Sequence, residues 1–195
     1  MDTIQHIRQR LQLYQLREFN QTLPEAAVLM PFTTTAQPEL ILTVRSASMP
    51  THAGEVAFPG GKKDPTDDSL LMTALRESHE EVGLLPSRVE VVGQLSPVAS
   101  RFGMKVTPFV GLVPSDVELI AEPGEIAQIF RVPLAFFLDT QPQLTEPVEF
   151  LGRRYRIPTY YYEGKKIWGL TAFMILDFLN AVYDTDIAYE SVVNS

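Results

Sequence analysis

The chain has 195 residues, 45% hydrophobic and 21% charged, which suits one domain with a sizeable core. Its formal charge of −8 argues against a binder of nucleic acid or anionic membrane. It leaves room for a small polyphosphate if bound metal reverses the local field, and the absence of cysteine excludes disulfides, thiolate catalysis and cysteine-ligated zinc.

No apolar run approaches the roughly 20 residues of a membrane span, and MDTIQHIRQR has no continuous apolar leader, so a cytoplasmic protein is expected. With no repeat, low-complexity tract or long linker, residues 1–195 read as a single domain. Residues 3–19 predict an amphipathic helix, with Ile4, Ile7, Leu11 and Tyr14 at helical spacing and Asp2 or Thr3 as its cap. A strand over 26–32 follows Pro24, then a turn over 33–38 and a second strand, ELILTVR, over 39–45. Residues 89–95 and 105–113 predict two more strands. Pro108 in the second suggests an edge position or a bulge. Residues 148–157 and 159–163 read as a hairpin rich in Arg and Tyr, and a last helix is predicted over about 168–183.

The most informative stretch is 58–84, FPGGKKDPTDDSLLMTALRESHEEVGL. Its second half is a helical pattern whose core face is expected to carry Leu71, Leu75, Ser78 and Val82. At about 100° per residue, Glu77 and Glu81 lie roughly 40° apart, with Glu80 beside them. Like charges at this spacing oppose the helix by a few tenths of a kcal/mol per pair. Arg76 sits one turn before Glu80, but Glu77 and Glu81 have no basic residue at helical spacing. A dication would remove the repulsion, because hard cations favour carboxylate oxygen. A solvated acidic face is the alternative. Gly60 and Gly61 let the backbone approach a ligand closely. Lys62 and Lys63 nearby are either solvated or near phosphate. Asp67 and Asp68 complement the helix N-terminus, and Gly83 suits its C-terminal cap.

This stretch resembles the Nudix box, G-x5-E-x7-R-E-U-x-E-E-x-G-U with U apolar. Arg76-Glu77-Ser78-His79-Glu80-Glu81-Val82-Gly83-Leu84 departs from the second half only at Ser78. In the first half, counting back from Arg76 puts the acid on Asp68 and the glycine position on Lys62. Counting forward from Gly61 adds one residue and makes Asp67 the more natural acid. The resemblance implies a Nudix-type α/β/α sandwich with a mixed central sheet. It also implies Mg²⁺ or Mn²⁺ held by Glu77 and Glu81, with Glu80 adjacent and a carbonyl from Gly61. Arg76 would orient the glutamates, and Glu80 or Glu125 would act as base. Glu122 and Glu125, candidates for a base or an extra metal ligand with plain helix-start acids as the alternative, lie in a segment resembling the common Nudix strand and short helix.

The flanks resemble the coenzyme A pyrophosphatase branch: Leu42-Thr43-x-Arg45-Ser46, Gly54, Phe58-Pro59-Gly60-Gly61 and, later, IWGLTA. Some members carry arginine where this chain has Pro50. Arg45, His52 and Lys62 are candidate substrate-binding residues, ordinary loop roles being the alternative for Arg45 and His52. The implied reaction is hydrolysis of coenzyme A or an acyl derivative to phosphopantetheine and adenosine 3′,5′-bisphosphate. The alternatives are ADP-ribose, a dinucleotide or another nucleoside diphosphate derivative, or a catalytically silent binding module of the same fold. A small nucleotide partner is expected, with no nucleic acid or membrane, and a homodimer remains open.

Overall fold

The computed structural model describes residues 2–145, 147–150, 153–187 and 190–191. Helix α1 (Thr3–Leu13) buries Ile4, Ile7 and Leu11, the i, i+3, i+7 face of its sequence. It stops sooner than the predicted 3–19 because Tyr14 turns to extended backbone, and Asp2 sits at the N-cap without a side-chain hydrogen bond. Tyr14 instead sends its hydroxyl to Ser96, at 2.7 Å, and to Asp177.

The main sheet begins with β1 (Glu25–Thr33), β2 (Glu39–Arg45), β3 (Val56–Ala57) and β4 (Gly60–Lys62). After helix α2 (Leu70–Val82) come β5 (Glu90–Gln94), β6 (Val98–Ala99), β7 (Lys105–Val113) and β8 (Ile126–Pro133). The strand order is β3-β2-β1-β7-β5, with β8 on β2, β4 on β1 and β6 on β7. β1 and β7 run parallel in continuous register from Glu25↔Lys105 to Thr33↔Val113, and the other pairings are antiparallel. The sheet is therefore mixed, as expected. The parallel pair forms the buried centre, which explains its unbroken apolar runs.

Pro108 lies inside this centre, not on an edge. Its missing N–H is accommodated because the antiparallel partner is interrupted there: β5 ends opposite Phe109 and β6 begins again opposite Val106.

Apolar residues pack on both faces. One face carries Ala27, Leu29, Ile41 and Phe109 against Ala74 and Val82 of α2. The other, larger cluster joins Met30, Phe32, Leu40 and Leu42 to α1, to α3 (Leu134–Asp139) and to α4 (Gly169–Tyr183). The rings of Phe32 and Phe178 stack there at 4.6 Å. The result is an α/β/α sandwich.

Short strands β9 (Gln143–Leu144), β10 (Val148–Phe150), β11 (Arg153–Tyr155), β12 (Pro158–Tyr162), β13 (Lys165–Trp168) and β14 (Glu190–Ser191) form two small sheets beside it. The expected hairpin of 148–157 with 159–163 is not the one formed. β10 pairs with β11, whereas β12 pairs with β13 and β9. Glu163 and Gly164 both adopt positive φ and make the tight turn that joins β12 to β13. No helix among the described residues is long and apolar enough to cross a membrane.

Candidate active site

Helix α2 is framed by its own sequence. Ser69 caps it by accepting the Met72 N–H, and Gly83 ends it in the left-handed region at φ 69°. Its buried side chains are Thr73, Ala74, Ser78, Glu81 and Val82, with Leu70, Leu71 and Leu75 packed partly against the core. Ser78 is tolerated in the core because its hydroxyl donates to the Ala74 carbonyl at 2.6 Å. The apolar face is thus close to the predicted one. Glu81 is buried as well, against the alternative of a solvated acidic face.

Glu81 is buried because α2 lies close against the Gly60-Gly61 segment of β4. At φ 153°, Gly60 is in a region that favours glycine, and a Cβ there would strike the backbone of Ala27 and Val28. A Cβ on Gly61 would strike the Glu77 carboxylate. The two glycines therefore give the helix room to set its acids directly on the strand. The Gly60 N–H donates to Glu81 Oε2 at 3.0 Å, while Arg45, at the end of β2, reaches Glu81 Oε1 at 3.4 Å.

Arg76 is the second hub. Its Nε and Nη2 donate to the two oxygens of Asp67 at 2.9 Å each, a bidentate pair. Its Nη1 donates to Glu77 at 2.9 Å and Glu80 at 3.0 Å, and Nη2 also reaches the Lys62 carbonyl. Asp67 is buried and further accepts from the Asp64 N–H and the Thr73 hydroxyl. The acidic loop position left open between Asp67 and Asp68 is therefore Asp67 in this geometry. The inserted residue is taken up by the 64–67 turn, in which Asp67 N–H bonds back to the Asp64 carbonyl. The lack of cations at helical spacing misled about Glu77 and Glu81: Glu77 pairs with its own neighbour, and Glu81 with a distant strand.

The electrostatics differ from acid to acid. Hydrogen bonds from Arg76 hold the Asp67 carboxyl well below the usual range, and Arg76 is correspondingly raised. Burial raises Glu77 despite Arg76 and pushes Glu81 up to about 7. Glu80 stays 57% exposed. Glu125 is close enough to Glu77 and Glu81 to act on both as a like charge. The turn bearing it is pinned from two sides, by Glu122 N–H to the Glu81 carbonyl and by Ser46 N–H to the Glu125 carbonyl. The two remaining candidates are His52 and Lys62. His52, at φ 59°, pairs with Glu55 and meets the Phe102 ring edge-on at 4.8 Å. Lys62 is exposed, and strand alternation turns its side chain away from the face that Gly61 presents to Glu77. Sequence reading missed Thr73 and Asp64 as supports of Asp67, and the Gly60 N–H as a donor to Glu81. A Thr on the helix face nearest the acidic loop was the available signal.

Among the described residues, no three Asp, Glu or His side chains converge into a ready-made metal cage. The donor set still fits Mg²⁺ or Mn²⁺. Such ions are commonly held by one or two carboxylates together with water and substrate phosphate. Here Glu77 and Glu81 lie one helical turn apart against a glycine strand whose lack of side chains lets both carboxylates sit at its backbone.

A family model described as the NUDIX domain matches residues 23–151. A relative from Photorhabdus laumondii, described as an uncharacterized Nudix hydrolase NudL, is 47% identical over 150 residues, covering 77% of this chain and 80% of its own. Its counterpart from Yersinia enterocolitica is 42% identical over 168 residues, covering 86% of each chain. Among solved structures, a MutT/nudix family protein from Enterococcus faecalis gives a TM-score of 0.55 at 16% identity, covering 89% of this chain and 66% of that one. That last likeness speaks to the fold alone.

Proposed function

We propose, given that the chain belongs to the Nudix hydrolase family and so hydrolyses a pyrophosphate linkage, that its substrate is coenzyme A or an acyl derivative. The products are phosphopantetheine and adenosine 3′,5′-bisphosphate. One observation carries the reading. Two of the residues outside the box that resemble the coenzyme A branch touch it, Arg45 through its guanidinium and Gly60 through its N–H, both on Glu81.

Glu77 and Glu81, with the Gly61 carbonyl, would hold Mg²⁺ or Mn²⁺. When bound, the ion neutralises charge on the pyrophosphate oxygens and makes water a better nucleophile. Arg76, fixed by Asp67, bridges Glu77 and Glu80 through one nitrogen and fixes their orientation. Glu80 and Glu125 are the exposed carboxylates beside the buried pair, and one of them takes the proton from the attacking water. Burial of Glu81 excludes solvent from one side of the reacting centre.

Purified protein with Mg²⁺ is to be assayed against coenzyme A, ADP-ribose and NADH. Preferential turnover of coenzyme A is expected. Equal or better turnover of the other two defeats the assignment and leaves a pyrophosphatase of another nucleoside diphosphate derivative. Failure on all three points to a binding module.

A further inference from the structure

We propose that Arg45 is a resident counter-cation of Glu81 that competes with the incoming metal ion, so that metal binding and release of the Arg45 guanidinium toward an anionic substrate are one coupled event. The inference rests on the reading of Glu81 as a metal ligand. Two arginines line the acids, and they are held very differently. Arg76 is locked by four carboxylate bonds of 2.9–3.0 Å, two of them to buried Asp67. Arg45 makes one long contact, 3.4 Å, and its Nε is buried without a hydrogen-bond partner among the described residues. A buried donor left unmatched is costly, so this guanidinium gains by finding a better partner.

The backbone of Arg45 is fixed, since its N–H donates to Glu55 and its carbonyl accepts from Gly54. Any movement is therefore confined to the side chain, which is 17% exposed. Each Glu81 oxygen already accepts one protein hydrogen bond, from Arg45 on one side and Gly60 on the other. A dication approaching Oε1 meets a like charge a few ångströms away and weakens the pair. A substrate pyrophosphate supplies the replacement anion. By linkage, metal and anion then bind with positive coupling that runs through one side chain.

The test compares wild-type protein, Arg45→Gln and Arg45→Lys at pH 8.5 by Mn²⁺ titration, reading the free-ion electron paramagnetic resonance signal without nucleotide. Arg45→Gln is expected to bind Mn²⁺ about five-fold tighter or more, the lower end of usual coupling factors, and to show the larger rise in Tm at equal Mn²⁺. Arg45→Lys keeps the charge and the weaker affinity. A second arm avoids any change at Arg45. In EDTA, inorganic pyrophosphate is titrated calorimetrically into Glu81→Gln and Glu77→Gln, each of which removes one negative charge. Tighter binding in Glu81→Gln than in Glu77→Gln is expected, because only the former frees Arg45. Equal or weaker Mn²⁺ binding by Arg45→Gln, tightening by Arg45→Lys, or equal pyrophosphate gains in the two glutamine variants overturns the proposal and leaves the metal assignment standing. A wild type that binds no Mn²⁺ at millimolar concentration overturns both.

Discussion

Helices α2 and α4 are of similar length, 13 and 15 residues, and lie on opposite faces of the same sheet, yet they are buried to different ends. α4 buries Met174, Ile175, Leu176, Phe178, Leu179 and Val182, because the main sheet, α1 and β12–β13 surround it. Its one buried acid, Asp177, is answered by Arg17 at 2.8 Å and by Tyr14. Three of the five buried residues of α2 are polar or charged, Thr73, Ser78 and Glu81. Each is matched to a specific donor or acceptor, but burial holds Glu77 and Glu81 above their ordinary pKa. One helix contributes stability through apolar area. The other surrenders some of it to keep carboxylates next to a strand of glycines.

The sharpest way to break this contrast is at Glu81. Glu81→Gln keeps the shape and an acceptor for Gly60 but loses the charge. Steady-state kinetics with Mg²⁺ are expected to show kcat reduced on the order of a hundred-fold or more, with the thermal midpoint unchanged or raised. A near-normal rate would put the metal elsewhere. On the opposite helix, Leu176→Ala is expected to cost about 2–5 kcal/mol by denaturant unfolding while kcat per folded molecule stays put. A large loss of kcat there would mean that the two faces are coupled.

The pH dependence of metal-free protein reports on the acids of α2 and its leading loop. Glu81 is raised to about 7 from an unfolded value near 4.5. Between those values the folded state holds more protons than the unfolded state. Its contribution to stability is therefore full below about 4.5 and lost as pH rises through about 7. Melting in EDTA is expected to show this fall, and Glu81→Gln to remove it. Asp67 has the opposite sign: its contribution is present above the usual carboxylate range and lost only in strong acid.

The smallest effect is expected at an arginine pair of similar geometry in a different setting. Arg8 makes bonds of 3.0 and 2.7 Å to both oxygens of Glu90, which is 56% exposed. Arg8→Ala is expected to change stability by no more than about 1 kcal/mol. Asp67→Asn, which leaves Arg76 short of an anion in a buried setting, is expected to cost about 1–3 kcal/mol and to lower kcat as well. Similar losses for both variants, read from denaturant midpoints, would remove burial as the cause of the difference.

Much of this molecule is legible in its sequence. The bounds of β2 and β7 and the apolar face of α2 follow from local signals, periodicity and β-branched content, whereas Gly60 and Gly61 lie in strand β4 and not in a turn. The spacing of Glu77, Glu80 and Glu81 belongs to the same class, because the geometry of one helical turn is fixed by chemistry that needs no distant partner. Contacts between remote segments were not legible. The choice of Asp67 over Asp68 depends on where Arg76 lands once α2 is packed. The interior place of Pro108 depends on a break in a neighbouring strand, and the true partner of β12 lies after it, not before. Above all, Arg45 and Glu81 are 36 residues apart, and only the pairing of β2 with β3 and of β4 with β1 brings both ends to one point. A sequence sets the acids along a helix, whereas the closed sheet determines which cation stands against which acid and how dry each one becomes.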